Sequence, residues 1–151
     1  MYGLLLFLHL GGLAVWLGSV VASAFMLLAM QKNIQSADVA GIAQKTIKVY
    51  NRITHPSAFL VLLSGILMLV DIGMDQHEFF DFWLLFMEQA GSLIILAFII
   101  AMSIIGKKTV KRIASGDADA ARKGIRTFVT ATFILVAAIL VVIYVVAAKI
   151  S

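Results

Sequence analysis

Four long apolar stretches alternate with three polar connections along this chain. The first, Tyr2 to Met30, contains one histidine and no formal charge. The second, Ile53 to Val70, lies between Arg52 and Asp71. The third, Gln89 to Gly106, lies between Glu88 and Lys107, and the fourth, Thr127 to Ala148, between Arg126 and Lys149. A helix needs about 20 mostly apolar residues to cross the hydrocarbon of a bilayer. With their flanks, these stretches predict membrane-spanning helices over about 2–30, 53–73, 82–106 and 127–148. The expected fold is all-α, an antiparallel four-helix transmembrane bundle forming a single domain over 1–151.

The same periodicity predicts helices that outrun the membrane. Ser36-Ala37-Asp38 is a helix start, and Val39, Ile42, Ala43, Ile47, Val49/Tyr50 and Ile53 carry an apolar face into the second span. Pro56 then either kinks that helix or opens a new one at its first turn. The third helix is expected to continue to Ala114 and stop at Gly116, with Asp117 capping the fourth.

Composition agrees. Hydrophobic residues make up 62% of the chain, against roughly 45–50% in soluble domains, and charged residues only 13%. No cysteine is present, which excludes disulfides, thiolate-held iron–sulfur clusters and cysteine nucleophiles. Met1-Tyr2-Gly3 lacks the basic start of a signal peptide, so the first stretch reads as a span. The net charge of +4 is unevenly placed. Lys32, Lys45, Lys48 and Arg52 lie in the first connection. Lys107, Lys108, Lys111, Arg112, Arg122, Lys123 and Arg126 lie in the third. The second holds Asp71, Asp75, Glu78 and Asp81 with no Lys or Arg. The positive-inside rule therefore puts the first and third connections in the cytoplasm and both termini outside it. The basic residues are then topology signals and contacts for anionic membrane lipids, and no nucleic-acid partner is implied.

Small residues mark expected helix contacts. These are Ala14, Gly18 and Ala22 on the first span, Ser57, Ser64 and Gly65 on the second, and Gly91, Ala97 and Ala101 on the third. Trp16 lies about 20 Å below Tyr2 by helix rise, too deep for an interfacial belt, and reads as bundle packing or a pocket wall. Trp83 and the Phe79-Phe80 pair read as belt residues.

Ionisable groups at membrane depth are candidates for chemistry. His9 lies about 10 Å below the outer end of span 1. Glu88 on span 3 and Tyr144 on span 4 reach a similar depth, and Asp71 closes span 2 on the same side. His9, Gly12, Trp16, Ser19 and Ser23 share the smaller, more polar face of span 1 and are expected to point inward. Two readings of His9 follow. In one, it ligates haem or a metal ion, with His77 in the outer turn as a second ligand and Trp16, Glu88 and Tyr144 around the cofactor. In the other, it bonds Glu88 or Tyr144 and only fixes the packing. His55 lies about 15 Å from His9 along the bundle, too far to clamp the same haem, and reads as a satisfied helix-end histidine. Met74 and Met87 near the outer face suit Cu(I), although methionine in an apolar helix usually packs. The chain has no Glu-x-x-His or His-x-x-x-His pair, Walker loop, dinucleotide fingerprint or serine triad.

The segment Leu8-His9-Leu10-Gly11-Gly12-Leu13-Ala14-Val15-Trp16-Leu17-Gly18 resembles the first span of CopD-type copper-resistance membrane domains and of related small bacterial four-span proteins. The shared feature is His-x6-Trp-x-Gly, with a second echo in Arg52 and Pro56 followed by Ser64-Gly65-Ile66-Leu67. A more distant likeness is to HemJ, the membrane protoporphyrinogen oxidase family, whose haem b histidine would correspond to His9. That family's basic residue in span 3 is missing here, and Glu88 lies in its region. The resemblance implies a bacterial inner-membrane bundle binding haem b or a copper ion around His9, for redox or metal handling. The alternative is a non-catalytic bundle that meets lipid or partner proteins. A transport role along the bundle axis would require homo-oligomers.

Overall fold

The computed structural model describes residues 2–72 and 86–148. Helix α1 (Tyr2–Met30) ends in a 3-10 turn over Gln31–Asn33. α2 (Ala37–Ile72) follows after a tight reversal. A π-helical turn (Met87–Gly91) leads directly into α3 (Ser92–Ala114), and α4 (Ala118–Ala148) completes the described chain. All four are long and apolar enough to cross a membrane, so the chain is a multi-pass, all-α membrane protein.

Local chemistry sets the ends. The Ser36 carbonyl accepts the first helical bond of α2 from Ala40 N–H at 2.9 Å, and Asp38 sits in the first turn, where a carboxylate favours the helix dipole. Pro56 lies inside α2 without interrupting it. Past Ala114 the chain turns at Gly116, whose φ of 76° suits a residue without Cβ. Asp117 Oδ1 then accepts from Asp119 N–H (2.9 Å) and Ala120 N–H (3.2 Å), satisfying two orphan donors of α4.

Contacts between helices show the direction of each. As numbers rise on α1 from His9 to Gly12, their partners on α2 fall from Ser64 to Ser57. His55 meets Ser103, and Asn51 meets Gly106, so α2 and α3 are also antiparallel. Gly106 meets Phe128, and Thr109 meets Gly124, which gives the same for α3 and α4. With α1 against α4, the helices form the ring α1–α2–α3–α4, the α1–α2 interface being the most extensive.

One aromatic ring from each helix fills the centre. Trp16 and Phe98 meet across one diagonal in a T-shaped pair at 4.8 Å. Tyr50 and Phe128 meet across the other at 5.1 Å. All four are essentially inaccessible, and offset or edge-on rings add stabilisation beyond simple burial. This is the packing role expected of Trp16.

The rotation of α1 corrects one expectation. Its buried line is Gly12, Trp16, Val20, Ala24 and Leu27. His9, Ser19 and Ser23 flank that line half-buried, whereas Ala14, Gly18 and Ala22 face outward. Nothing lies within 4 Å of a Cβ built on Gly18. The close approach occurs at Gly12 instead, where a Cβ would meet Val61 Cγ2 at 3.1 Å.

Candidate functional site

α1 presents His9 to α2, and α2 meets it with a backbone oxygen and two small residues. His9 Nδ1 lies 2.9 Å from the Val61 carbonyl oxygen and 3.2 Å from Ser64 Oγ. The carbonyl can only accept. The Ser64 hydroxyl already donates to the Leu60 carbonyl at 2.6 Å, so it too offers His9 a lone pair. Both partners therefore require a proton on Nδ1. In the neutral ring this leaves the lone pair on Nε2. Gly65 makes the approach possible, because a Cβ there would lie 3.3 Å from His9 Cε1. The result is an oriented imidazole of fixed tautomer, held as the outer-shell partner of a ligating histidine holds it. All of its hydrogen bonds within the described residues run through Nδ1.

The other expected participants do not converge on it. His9 bonds α2, and neither Glu88 nor Tyr144. Tyr144 is 67% exposed on the surface of α4. Glu88 is half-buried in the π-turn at the head of α3, diagonally across the ring from α1. Such turns occur often at functional sites, and no residue pattern announces this one. Trp16 lies in the core with its indole Nε1 unpartnered, beside a small apolar void walled by Phe98, Leu135 and Ile139. Asp71 is exposed at the end of α2, and Met87 is half-buried in the π-turn. His77 and Met74, together with the belt candidates Phe79, Phe80 and Trp83, lie outside the described residues. Among the described residues no cluster of three His, Cys, Asp or Glu could hold a metal ion.

His55 is occupied at both nitrogens. Nε2 lies 2.6 Å from Ser103 Oγ on α3, and Nδ1 lies 3.4 Å from Thr54 Oγ1. Thr54 donates to the Tyr50 carbonyl at 2.7 Å, so it accepts from His55, and Ser103 then donates to Nε2. The ring pins α2 to α3.

Sequence reasoning missed a buried polar layer deeper in the bundle. Tyr50 and Thr132 approach one another with their hydroxyls, yet neither completes a well-formed hydrogen bond, and Asn51 Oδ1 is also without a partner. Thr132 inside the fourth apolar run and Asn51 beside Arg52 were its only sequence signal. Against this geometry the comparisons add nothing: no family model, curated protein or solved structure matches the chain.

Proposed function

We propose that this is a bacterial inner-membrane bundle, with both termini outside the cytoplasm, that binds haem through Nε2 of His9 for redox work or metal handling. The observation that carries this reading is the Nδ1–H bond to the Val61 carbonyl, which leaves an oriented lone pair at membrane depth. One histidine suffices as an axial haem ligand. A copper ion would need further donors beside His9, and among the described residues no group of three His, Cys, Asp or Glu supplies them. The CopD-like resemblance in span 1 belongs to the same proposal. Haem would supply one-electron chemistry when bound. The chain's own part is to hold the imidazole's tautomer and angle through Val61 and Ser64, and to keep one wall of the site small at Gly65.

The test is a visible spectrum and metal analysis of the purified full chain, expressed with excess haem and copper. A Soret band that disappears in His9→Ala, with melting temperature retained, is the expected result. Stoichiometric copper without a Soret band would replace haem by copper. Neither signal, or a Soret band unchanged in His9→Ala, overturns the proposal.

A further inference from the structure

Serine and threonine in a helix often turn their hydroxyls back onto a carbonyl of the same helix. Thr54, Ser57, Ser64 and Thr127 do so here. Ser103 makes no such bond among the described residues. Its hydroxyl crosses from α3 to α2 and donates to His55 Nε2 at 2.6 Å. His55 is oriented from its other side, where Nδ1–H reaches Thr54 Oγ1 at 3.4 Å. A hydroxyl set on a base, with the base held by a third group, is the arrangement that activates an alcohol as a nucleophile. A further donor stands beside the pair. Asn51 lies one turn before His55 on the same face of α2, and it reaches Gly106, three residues beyond Ser103 on α3. A Cβ on Gly106 would lie 3.1 Å from Asn51 Nδ2, so the glycine leaves room for that amide. Asn51 Oδ1 is buried without a partner among the described residues. Side-chain amide N–H groups are among the donors that stabilise the oxyanion of acyl transfer.

Depth points to the substrate. His55 lies three residues inside exposed Arg52, and Ser103 four residues inside exposed Lys107. Those steps rise about 4.5 and 6 Å. One headgroup layer is about 5–7.5 Å thick, half the difference between the roughly 40–45 Å full bilayer and its roughly 30 Å hydrocarbon core. With both cations among the headgroups, the pair stands at the edge of the hydrocarbon, the level of phospholipid ester carbonyls. His55 and Ser103 are half-buried, and their neighbours Pro56 and Ile104 are exposed, so the pair is reached from the lipid along the α2–α3 seam. We propose that Ser103 is an acyl-transfer nucleophile for the ester of a membrane phospholipid, with His55 as its general base and Asn51 as the oxyanion donor. Oγ bonds to the ester carbonyl carbon as its proton passes to His55 Nε2. The ester C–O bond then breaks, and the lipid alcohol leaves with that proton. Water attacks acyl-Ser103 while His55 again takes the proton, which releases a fatty acid and restores the serine.

The test treats the full-length protein, reconstituted without added haem, with a fluorophosphonate carrying a long alkyl chain. Peptide mapping should place the label on Ser103. Labelling should vanish in Ser103→Ala and persist in Ser57→Ala. It should slow about a hundredfold in His55→Gln and by a similar factor in Asn51→Ala, with the melting temperatures retained. Without any variant, vesicles of diacyl phospholipid should slow the labelling and release fatty acid, and vesicles of the diether analogue should do neither. Absence of label on Ser103, or labelling unchanged in His55→Gln or Asn51→Ala, would overturn the proposal, leaving a hydrogen bond that only ties α2 to α3. So would labelling without release of fatty acid from the diacyl lipid. None of these readouts depends on haem binding.

Discussion

Tyr50 and His9 are both polar side chains placed where water is scarce, and the structure treats them differently. His9 receives a carbonyl and a hydroxyl from α2. Tyr50 is 1% exposed, and its hydroxyl lacks a formed hydrogen bond. Burying such a group unpaired costs about 1–3 kcal/mol. Tyr50→Phe keeps the ring contacts with Phe98 and Phe128 and deletes only the costly atom. Thermal unfolding in detergent should therefore show stability unchanged or raised by up to about 1 kcal/mol. A loss of stability would mean the hydroxyl has a partner after all. At this scale the sequence was half informative. Depth along the helix singled out His9, since counting residues from the membrane edge needs no tertiary knowledge. Its partner was not legible, because a backbone carbonyl on another helix has no side-chain signature and only helix rotation decides which one is reached.

The helices tell a similar story about rotation. Their existence and ends followed from the chain: α3 stops at Ala114, Gly116 takes a positive φ, and Asp117 caps α4. These features depend on neighbours in sequence, so sequence reports them. The facing of α1 depends on what α2 and α4 offer, and there the stripe of Ala14, Gly18 and Ala22 misled. Gly12 is the glycine that another helix requires, because Val61 stands against it with a stiff β-branched side chain. Gly12→Leu should wedge α1 away from α2 and lower stability by about 1–3 kcal/mol, whereas Gly18→Leu should leave the melting temperature nearly unchanged. If Gly18→Leu is the more damaging of the two, α1 is rotated differently in the membrane. The π-turn at Met87–Gly91 was beyond any periodicity argument, since one extra residue in a turn leaves the apolar pattern on either side intact.

At the scale of the whole molecule, charge makes the strongest prediction. The end of α2 that follows α1, and the ends of α3 and α4 that meet at Gly116, are rich in Lys and Arg, and they lie at the same end of an antiparallel ring. A reporter enzyme fused after Ser151 should accordingly be active only when exported from the cytoplasm, and activity inside the cell would reverse the assigned orientation. The antiparallel four-helix bundle was legible in the number and length of the apolar stretches, and the crossed aromatic pairs at its centre were not, because no local rule says which rings meet across a diagonal. The lengths of the helices have one more effect. α2 has 36 residues, about 54 Å of rise, against about 30 Å of hydrocarbon. Its excess lies at the charged end, where Lys45, Lys48 and Arg52 resist being drawn into oil. That end is moored in the water phase, so a thinner or thicker membrane cannot slide the protein up or down. Tilt of the helices about that mooring and adjustment at the far rim, among the turns of α1 and α2 that hold His9, are the responses left to it. Lipid composition would then reach the imidazole mechanically, by squeezing or relaxing the helices on either side of it.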